Sequence, residues 1–202
     1  MRMRRDVWQR ATTLTLGAIL VLVSASAQAV NLKIDPQHST VGFRVRHLIS
    51  TVSGRFNEFS GSFEYVADDL SASTVKVTIQ AASVDTNVAA RDKDLRSKRF
   101  FDVEKHPTLE FESDAITNVS GSKGRIKGRL TIHGVTRDVV LDAEFLGKSK
   151  DPWGNEHFGF HARTTISRED FGMTWNEVIE AGGVLVGDEV EIILDISAVP
   201  AG

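Results

Sequence analysis

Hydrophobic and polar side chains alternate with a period of two through most of the chain beyond Ser39. In residues 39–47, Val41, Phe43, Val45 and His47 fall on one face, and Gly42, Arg44 and Arg46 on the other. In residues 74–85, Val75, Val77, Ile79, Ala81, Ser83 and Asp85 share a face. Leu109 and Phe111 alternate with Glu110 and Glu112. Ile126, Gly128, Leu130 and Ile132 alternate with Arg125, Lys127, Arg129 and Thr131. Val139, Leu141, Ala143 and Phe145 alternate with Asp138, Asp142 and Glu144, Val140 being the exception. Phe158, Phe160, Ala162, Thr164 and Ile166 alternate with His161 and Arg163. Val190, Ile192, Leu194 and Ile196 alternate with Glu191 and Asp195. Successive side chains of a strand point to opposite faces. Each run therefore predicts a strand with one dry and one wet face, the habit of antiparallel sheets.

The residues between the runs suit turns. His133-Gly134 separates two of them like a tight hairpin. Asp151-Pro152-Trp153-Gly154-Asn155 is a turn cluster, and Gly121 to Gly124 marks another. Gly54 and Gly61 flank Phe56, Phe59 and Phe63, where in one long strand they would permit bends or bulges. Residues 87–98 break the alternation. They are charged and contain alanine, which predicts a short helix capped by Asp85 or Thr86. Eight or nine strands with one helical excursion predict an all-β fold, a closed or nearly closed antiparallel barrel. A β-sandwich is the rival that alternation alone does not exclude. Barrels of about eight strands hold packed side chains or one small ligand.

The first residues read as an address. Arg2, Arg4, Arg5 and Arg10 make a basic start, and Leu14 to Val23 is an apolar run. It is shorter than the roughly 20 residues that a spanning helix needs. Ala27-Gln28-Ala29 is an A-x-A cleavage site, with Ala25-Ser26-Ala27 as a second possible cut. The expectation is a secretory signal peptide over residues 1–29, cut after Ala29, and one domain over residues 30–202. An uncleaved anchor is the alternative. Arg4-Arg5 invites a twin-arginine reading, but the following Asp6-Val7-Trp8 fits that pattern poorly.

Removing residues 1–29 takes away four of 24 basic and one of 27 acidic residues, leaving a net charge of −6. Phosphate neutralisation needs clustered Lys and Arg, so no nucleic-acid partner is expected. The chain has no cysteine, which excludes disulfides, thiolate metal sites, Cys nucleophiles and acylation of a lipoprotein Cys. No membrane anchor is expected after cleavage, and a homodimer is left open.

Candidate chemistry is sparse. His157 and His161 are four apart, but on a strand four residues span roughly 13 Å, too far to share one ion. His38 and His47 are separated by most of a strand, and no metal site is expected. Asp170-Phe171-Gly172 matches a kinase magnesium motif by letters alone, without a glycine-rich loop to accompany it. There is no Gly-x-Ser-x-Gly elbow, and no catalytic residues or cofactors are expected. His47 and Asp85 each end an apolar face. They either meet a polar ligand head near the barrel mouth or satisfy local backbone, Asp85 as a helix cap and His47 in a turn. Arg91 either meets an anionic head or is solvated on the helix.

Ordered motifs then give a resemblance. His38-Ser39 is followed by Val41, Phe43, Val45, His47 and Leu48, and then by Gly54-x-Phe56-x-x-Phe59-x-Gly61. Ser83-Val84-Asp85-Thr86, Arg91-Asp92-x-x-Leu95-x-Ser97 and Phe100-x-Asp102-Val103 come next. Leu130-Thr131-Ile132-x-Gly134-Val135-Thr136, Pro152-Trp153-Gly154 and Gly159-Phe160 continue the series. It closes with Ile166-x-Arg168-x-Asp170-Phe171-Gly172 and Val186-Gly187-Asp188-Glu189-Val190. From Ile34 to about Ile196 the chain resembles the YceI family of bacterial polyisoprenoid-binding proteins.

The resemblance implies an extended lipocalin-like barrel whose apolar tunnel holds a polyprenyl or quinone tail in the periplasm. It implies no catalytic residues. The residues expected to line the tunnel are Val41, Phe43, Val45, Val77, Ile79, Phe111, Leu130, Ile132, Phe158, Phe160 and Ile166. His47, Asp85 and Arg91 are the candidates for head-group contact. A carrier of fatty acids or fatty amides is the nearest alternative. A lipid-modifying enzyme would need His47 and Asp85 as a polar cluster inside the tunnel.

Overall fold

The computed structural model describes residues 28–178 and 184–202, and the predicted leader falls largely outside these described residues. Eleven strands form one antiparallel sheet closed by pairing of its first and last strands. They are β1 (Ala29–Ile34), β2 (Thr40–His47), β3 (Ser50–Phe56), β4 (Phe59–Val66), β5 (Thr74–Gln80) and β6 (Val84–Asp85). Then come β7 (Thr108–Ser120), β8 (Lys123–Ile132), β9 (Val135–Lys150), β10 (Glu156–Ser167) and β11 (Val186–Pro200). One helix, α1 (Ala89–Arg96), lies between β6 and β7.

The eleven strands occupy eight positions around the barrel, because six of them are halves of three broken strands. β1 and β2 both pair with β11. β4 pairs with β1, and β3 with β2. β5 pairs with β4, and β6 with β3. From β7 onward each strand pairs with the next. Every neighbour is thus consecutive in the chain, and the fold is an up-and-down antiparallel barrel of eight strands with one helix.

Each break has a local cause. Pro36 has no N–H to give a ladder, and it opens a short 3-10 turn in which the Asp35 carboxylate accepts from the Gln37 N–H at 3.1 Å. Between β3 and β4, the Asn57 N–H donates to the Ser83 carbonyl and the Glu58 N–H to Ser83 Oγ. The expected long strand over Gly54 and Gly61 therefore bends at Asn57-Glu58, not at its glycines. Between β5 and β6, Ala81–Ser83 form a 3-10 turn, and the Ala81 N–H donates to the Pro107 carbonyl.

That last turn overturns part of the expected alternation. The run expected to continue to Asp85 stops at Gln80, and the phase changes by one residue. Val84 is fully buried, and Asp85 points the other way. The helix is also entered differently. Its N-cap is Val88, which offers no side-chain acceptor, so neither Asp85 nor Thr86 fills that role. Instead the buried Asp92 reaches back and accepts from the Thr86 N–H at 2.8 Å and the Thr86 hydroxyl at 2.5 Å.

The turns match their residues. His133 and Gly134 both have positive φ, 52° and 73°, as the tight β8–β9 hairpin requires. Gly121 at φ 59° turns β7 into β8. The interior packs in two groups. The larger, at the helix end, includes Phe56, Val84, Leu109, Ile132, Ile166 and Phe171. The smaller, near the opposite end, joins Leu32, Phe158 and Ala198 with Phe63, Tyr65, Phe145 and Phe160.

Candidate functional site

Inward-facing residues of neighbouring strands are set side by side by the register. Phe111 is opposite Val77 on one side and Leu130 on the other. Ile192 is opposite Phe43, and Leu194 opposite Val41. These side chains enclose an internal cavity of about 190 Å³ with an almost wholly apolar wall. The cavity reaches from Ile132 and Leu109 at the helix end to Leu70, Ser122 and Lys123 at the other. Ile132 and Lys123 bound β8, and the strand between them is about 30 Å long. Barrel strands tilt by about 35–45°, so the bore runs on the order of 23 Å along the axis, and its small volume makes it narrow enough to suit a chain.

A second, wider chamber of about 620 Å³ lies at the helix end. Val45, His47 and Val52 form one side of it, and Ala90, Arg91 and Leu95 of α1 another. Phe100, Trp175, Leu185 and Val186 add apolar wall, and Lys93, Asp94 and Arg99 bring charge to its edge. Trp175 is held between the Phe100 ring, 5.3 Å away by centroids, and the Arg99 guanidinium at 4.8 Å. Phe43 lines both spaces, so its ring stands between bore and chamber.

Of the residues expected on the tunnel wall, Val41, Phe43, Val77, Ile79, Phe111, Leu130, Ile132 and Phe160 line the bore. Val45 lines the chamber instead. Phe158 and Ile166 line neither. Phe158 points inward but is packed against Leu32, Ala198 and Tyr65, its ring 5.7 Å from that of Tyr65. Beyond the register shift between Gly159 and Phe160 the interior is filled by aromatic rings. Ile166 is buried among Phe171, Met173 and their neighbours under the helix end. Alternation finds the inward face, but it does not distinguish a wall from solid packing.

The three head-group candidates part company. His47 and Arg91 both face the chamber. Arg91 donates from Nε to Thr86 Oγ1 at 2.8 Å and from Nη2 to the Thr86 carbonyl at 2.9 Å, so its guanidinium is fixed in place. Asp85 is turned away from both spaces. It accepts from the Asn87 N–H at 2.9 Å and from Asn57 Nδ2 at 3.2 Å, with Arg55 beside it at 3.4 Å. The Asn87 amide first, then Asn57 and Arg55, hold its carboxyl below the usual range. The reason for its displacement is the phase change at Ala81–Ser83.

Several wall residues were visible as apolar alternation without being assigned to the site: Val139, Leu141, Ile192, Leu194 and Ile196 of the bore. Trp175 and Leu185 carry no periodic signal and come to the chamber only through tertiary folding. Leu185 is held by backbone bonds to Leu48 and Glu177, and Trp175 by Arg168, which is buried after β10. Its Nη1 donates to the carbonyls of Met173 and Trp175, and its Nε to that of Gly187 at 3.0 Å. Its Nη2 meets Asp188 Oδ1 at 2.9 Å. One side chain thereby ties the Trp175 segment to the irregular start of β11.

Residues 32–198 match the model of the YceI-like domain. The chain belongs to the YceI-like family. It is 46% identical over 161 residues to a UPF0312 protein of Photorhabdus laumondii, covering 78% of this chain and 83% of the relative. It is 41% identical over 189 residues to a UPF0312 protein of Pseudomonas aeruginosa, covering 92% and 95%. Among solved structures, the Campylobacter jejuni YceI protein is 34% identical with a TM-score of 0.67, over 84% of this chain and 97% of that one. BcnA of Burkholderia cenocepacia shares the fold at 23% identity, with a TM-score of 0.72 over 81% and 98%. A polyisoprenoid-binding domain from Saccharophagus degradans shares it at 14% identity, with a TM-score of 0.59 over 85% and 99%. The YceI-like barrel of the present chain thus has relatives spanning nearly its whole described length.

Proposed function

We propose that this YceI-like protein is a periplasmic carrier that holds the tail of an isoprenoid lipid, of polyprenyl or quinone type, and does no chemistry on it. The observation that carries the reading is the bore: long, narrow and apolar, with a wider chamber at one end faced by His47 and Arg91. A tail in the bore would leave water at about 0.8 kcal/mol per CH₂, so a long chain binds without many polar contacts. The chamber has the position to receive a head, with His47 and Arg91 on its wall beside Lys93, Asp94 and Arg99. The fold shared with a domain described as polyisoprenoid-binding supports the same reading. The basic, apolar and small-residue segments of residues 1–29 support export to the periplasm.

The carrier reading is favoured over a lipid-modifying enzyme by the placement of two residues. His47 and Asp85 were the pair that could have formed an acid–base cluster inside the tunnel. Asp85 is engaged with Asn87, Asn57 and Arg55 away from the bore, while His47 faces the chamber.

Native mass spectrometry of protein purified from its own periplasm, followed by extraction of any bound lipid, tests the proposal. An isoprenoid chain is the expected cargo. A fatty acid or fatty amide in its place would shift the assignment to that class. Protein that emerges without lipid and takes up no polyprenyl analogue overturns the carrier reading.

A further inference from the structure

Outside the bore and chamber, one group of side chains has the chemistry of a metal site. Asp102 and His106 lie in the loop between α1 and β7, and His133 is at the tip of the β8–β9 hairpin. One ligand atom from each falls within 4.8 Å of the others. The His106 and His133 rings meet edge to face, with centroids 4.9 Å apart. Distance along the chain hides the group, since His133 lies a whole hairpin beyond His106.

Two further observations point to a ligand. The Asp102 side chain is only 7% exposed, yet it makes no hydrogen bond among the described residues. Its ion-pair partner there is Lys105, at 3.4 Å. Asp102 is thus largely enclosed, while its carboxylate keeps room for a further partner beside Lys105. Second, the backbone suits this approach at two points. Asp102 has a positive φ of 43°, which is uncommon outside glycine. A Cβ on Gly134 would stand 2.8 Å from His106 Nδ1, so the absence of a side chain there admits the imidazole.

We infer that Asp102, His106 and His133 bind one divalent transition-metal ion of the zinc type. Two imidazoles and one carboxylate are a donor set for borderline cations, and they leave a fourth position to water. Ligand atoms around a tetrahedral zinc lie about 3.3 Å apart, so the three groups need to close by only about 1.5 Å. Lys105, whose side chain is 67% exposed, can leave Asp102 for water when the ion enters. The ion would join the α1–β7 loop to the β8–β9 hairpin. That loop carries Phe100 of the chamber wall and Phe101 and Val103 of the main core. The proposal is independent of the lipid reading, since none of its residues lines either space.

The test is calorimetric titration of Zn²⁺ into the mature protein, purified without a polyhistidine tag, with Co²⁺ absorption reporting the coordination. One ion per chain is expected, with the visible bands of a tetrahedral N/O site. Zinc should also raise the melting temperature by mass action. His106→Phe keeps a ring over Gly134, and His133→Asn tolerates the positive φ, so both variants should fold by circular dichroism. Each should weaken binding at least about 100-fold, beyond the 10–100-fold typical of outer-shell changes. His161→Gln, which alters the exposed His161–Asp195 pair, should leave it unchanged. Absence of stoichiometric binding, retention of affinity in both loop variants, or loss of binding in His161→Gln would each overturn the site.

Discussion

Phe43 and Gly54 are directly opposed on β2 and β3, and the Phe43 ring covers the face that a side chain at position 54 would occupy. A Cβ on Gly54 would lie 2.7 Å from Phe43 Cε1 and 2.8 Å from Thr86 Cγ2. The same arrangement recurs at Gly128, where a Cβ would be 2.7 Å from Phe111 Cζ. Both rings line the bore, so at two points of its wall an aromatic ring lies over a glycine.

Gly54→Ala should therefore destabilise the barrel by about 1–3 kcal/mol, the usual cost of overpacking. It should also push the Phe43 ring into the passage between bore and chamber and weaken uptake of a polyprenyl analogue. In a Phe43→Leu background the stability cost should shrink. A double-mutant cycle measured by urea unfolding reads that coupling directly. Additive effects would show that the ring does not bear on Gly54.

Arg168→Met should cost more. It removes the partner of three carbonyls, those of Met173, Trp175 and Gly187, and of Asp188 Oδ1. Buried acceptors left unpaired cost about 1–3 kcal/mol each, and some will recover water, so a loss of about 3–5 kcal/mol is expected. Near-ultraviolet dichroism and Trp175 fluorescence should change with it, because that indole loses its support. A variant within 1 kcal/mol of wild type, with unchanged Trp175 emission, contradicts this role.

The barrel was legible because its long strands obey one period from end to end: β8 through Leu130 and Ile132, β11 through Ile192 and Leu194. The breaks were not. The turn at Ala81–Ser83 rests on hydrogen bonds to Pro107 and Glu58, residues distant in sequence. No local pattern marks it, so Asp85 was placed on the wrong face. Phe158 and Ile166 show a different limit. Their inward direction was readable, but whether an inward side chain meets space or another side chain depends on what the opposite wall contributes. The Asp102–His106–His133 group depends on two loops meeting, and spacing alone separates its members.

Acid sensitivity follows from carboxylates held ionised by the fold. In the turn after β9, the Asn155 side chain first, then the Asn155 and Trp153 amides and His157, lower the Asp151 carboxyl below its ordinary value. Asp35 is lowered chiefly by His38, and Glu112 chiefly by Lys76. A carboxyl with a lower pKa folded than unfolded stabilises the fold fully above its unfolded value, near about 4. That contribution fades as pH falls through the folded value. Asp151→Asn should thus melt lower than wild type at neutral pH, and the gap should close below about pH 4. A gap that is constant from neutral to acid pH would show that the charge plays no part in the turn.

The proposed cargo site makes its sharpest prediction in the contrast between wall and head. Ile79 faces the bore near the end of β5, where neighbouring Val77 and Leu109 offer no polar partner. Ile79→Asp would bury an unpaired carboxylate and should abolish binding of a fluorescent polyprenyl analogue, or folding itself. Ile79→Val removes one methylene and keeps the wall apolar. It should fold and bind within about tenfold of wild type, since one CH₂ is worth about 0.8 kcal/mol. Arg91 is already tied to Thr86, so in Arg91→Ala a head group loses at most one partly exposed charge, a cost on the order of 1 kcal/mol. Apolar burial is not screened by ions, whereas an exposed pair is, so added salt should leave wild-type affinity nearly unchanged. If instead Arg91→Ala eliminates binding, Ile79→Val does not, and salt weakens the wild type steeply, recognition lies with an anionic head in the chamber. The bore would then be a passive sleeve for whatever tail that head carries.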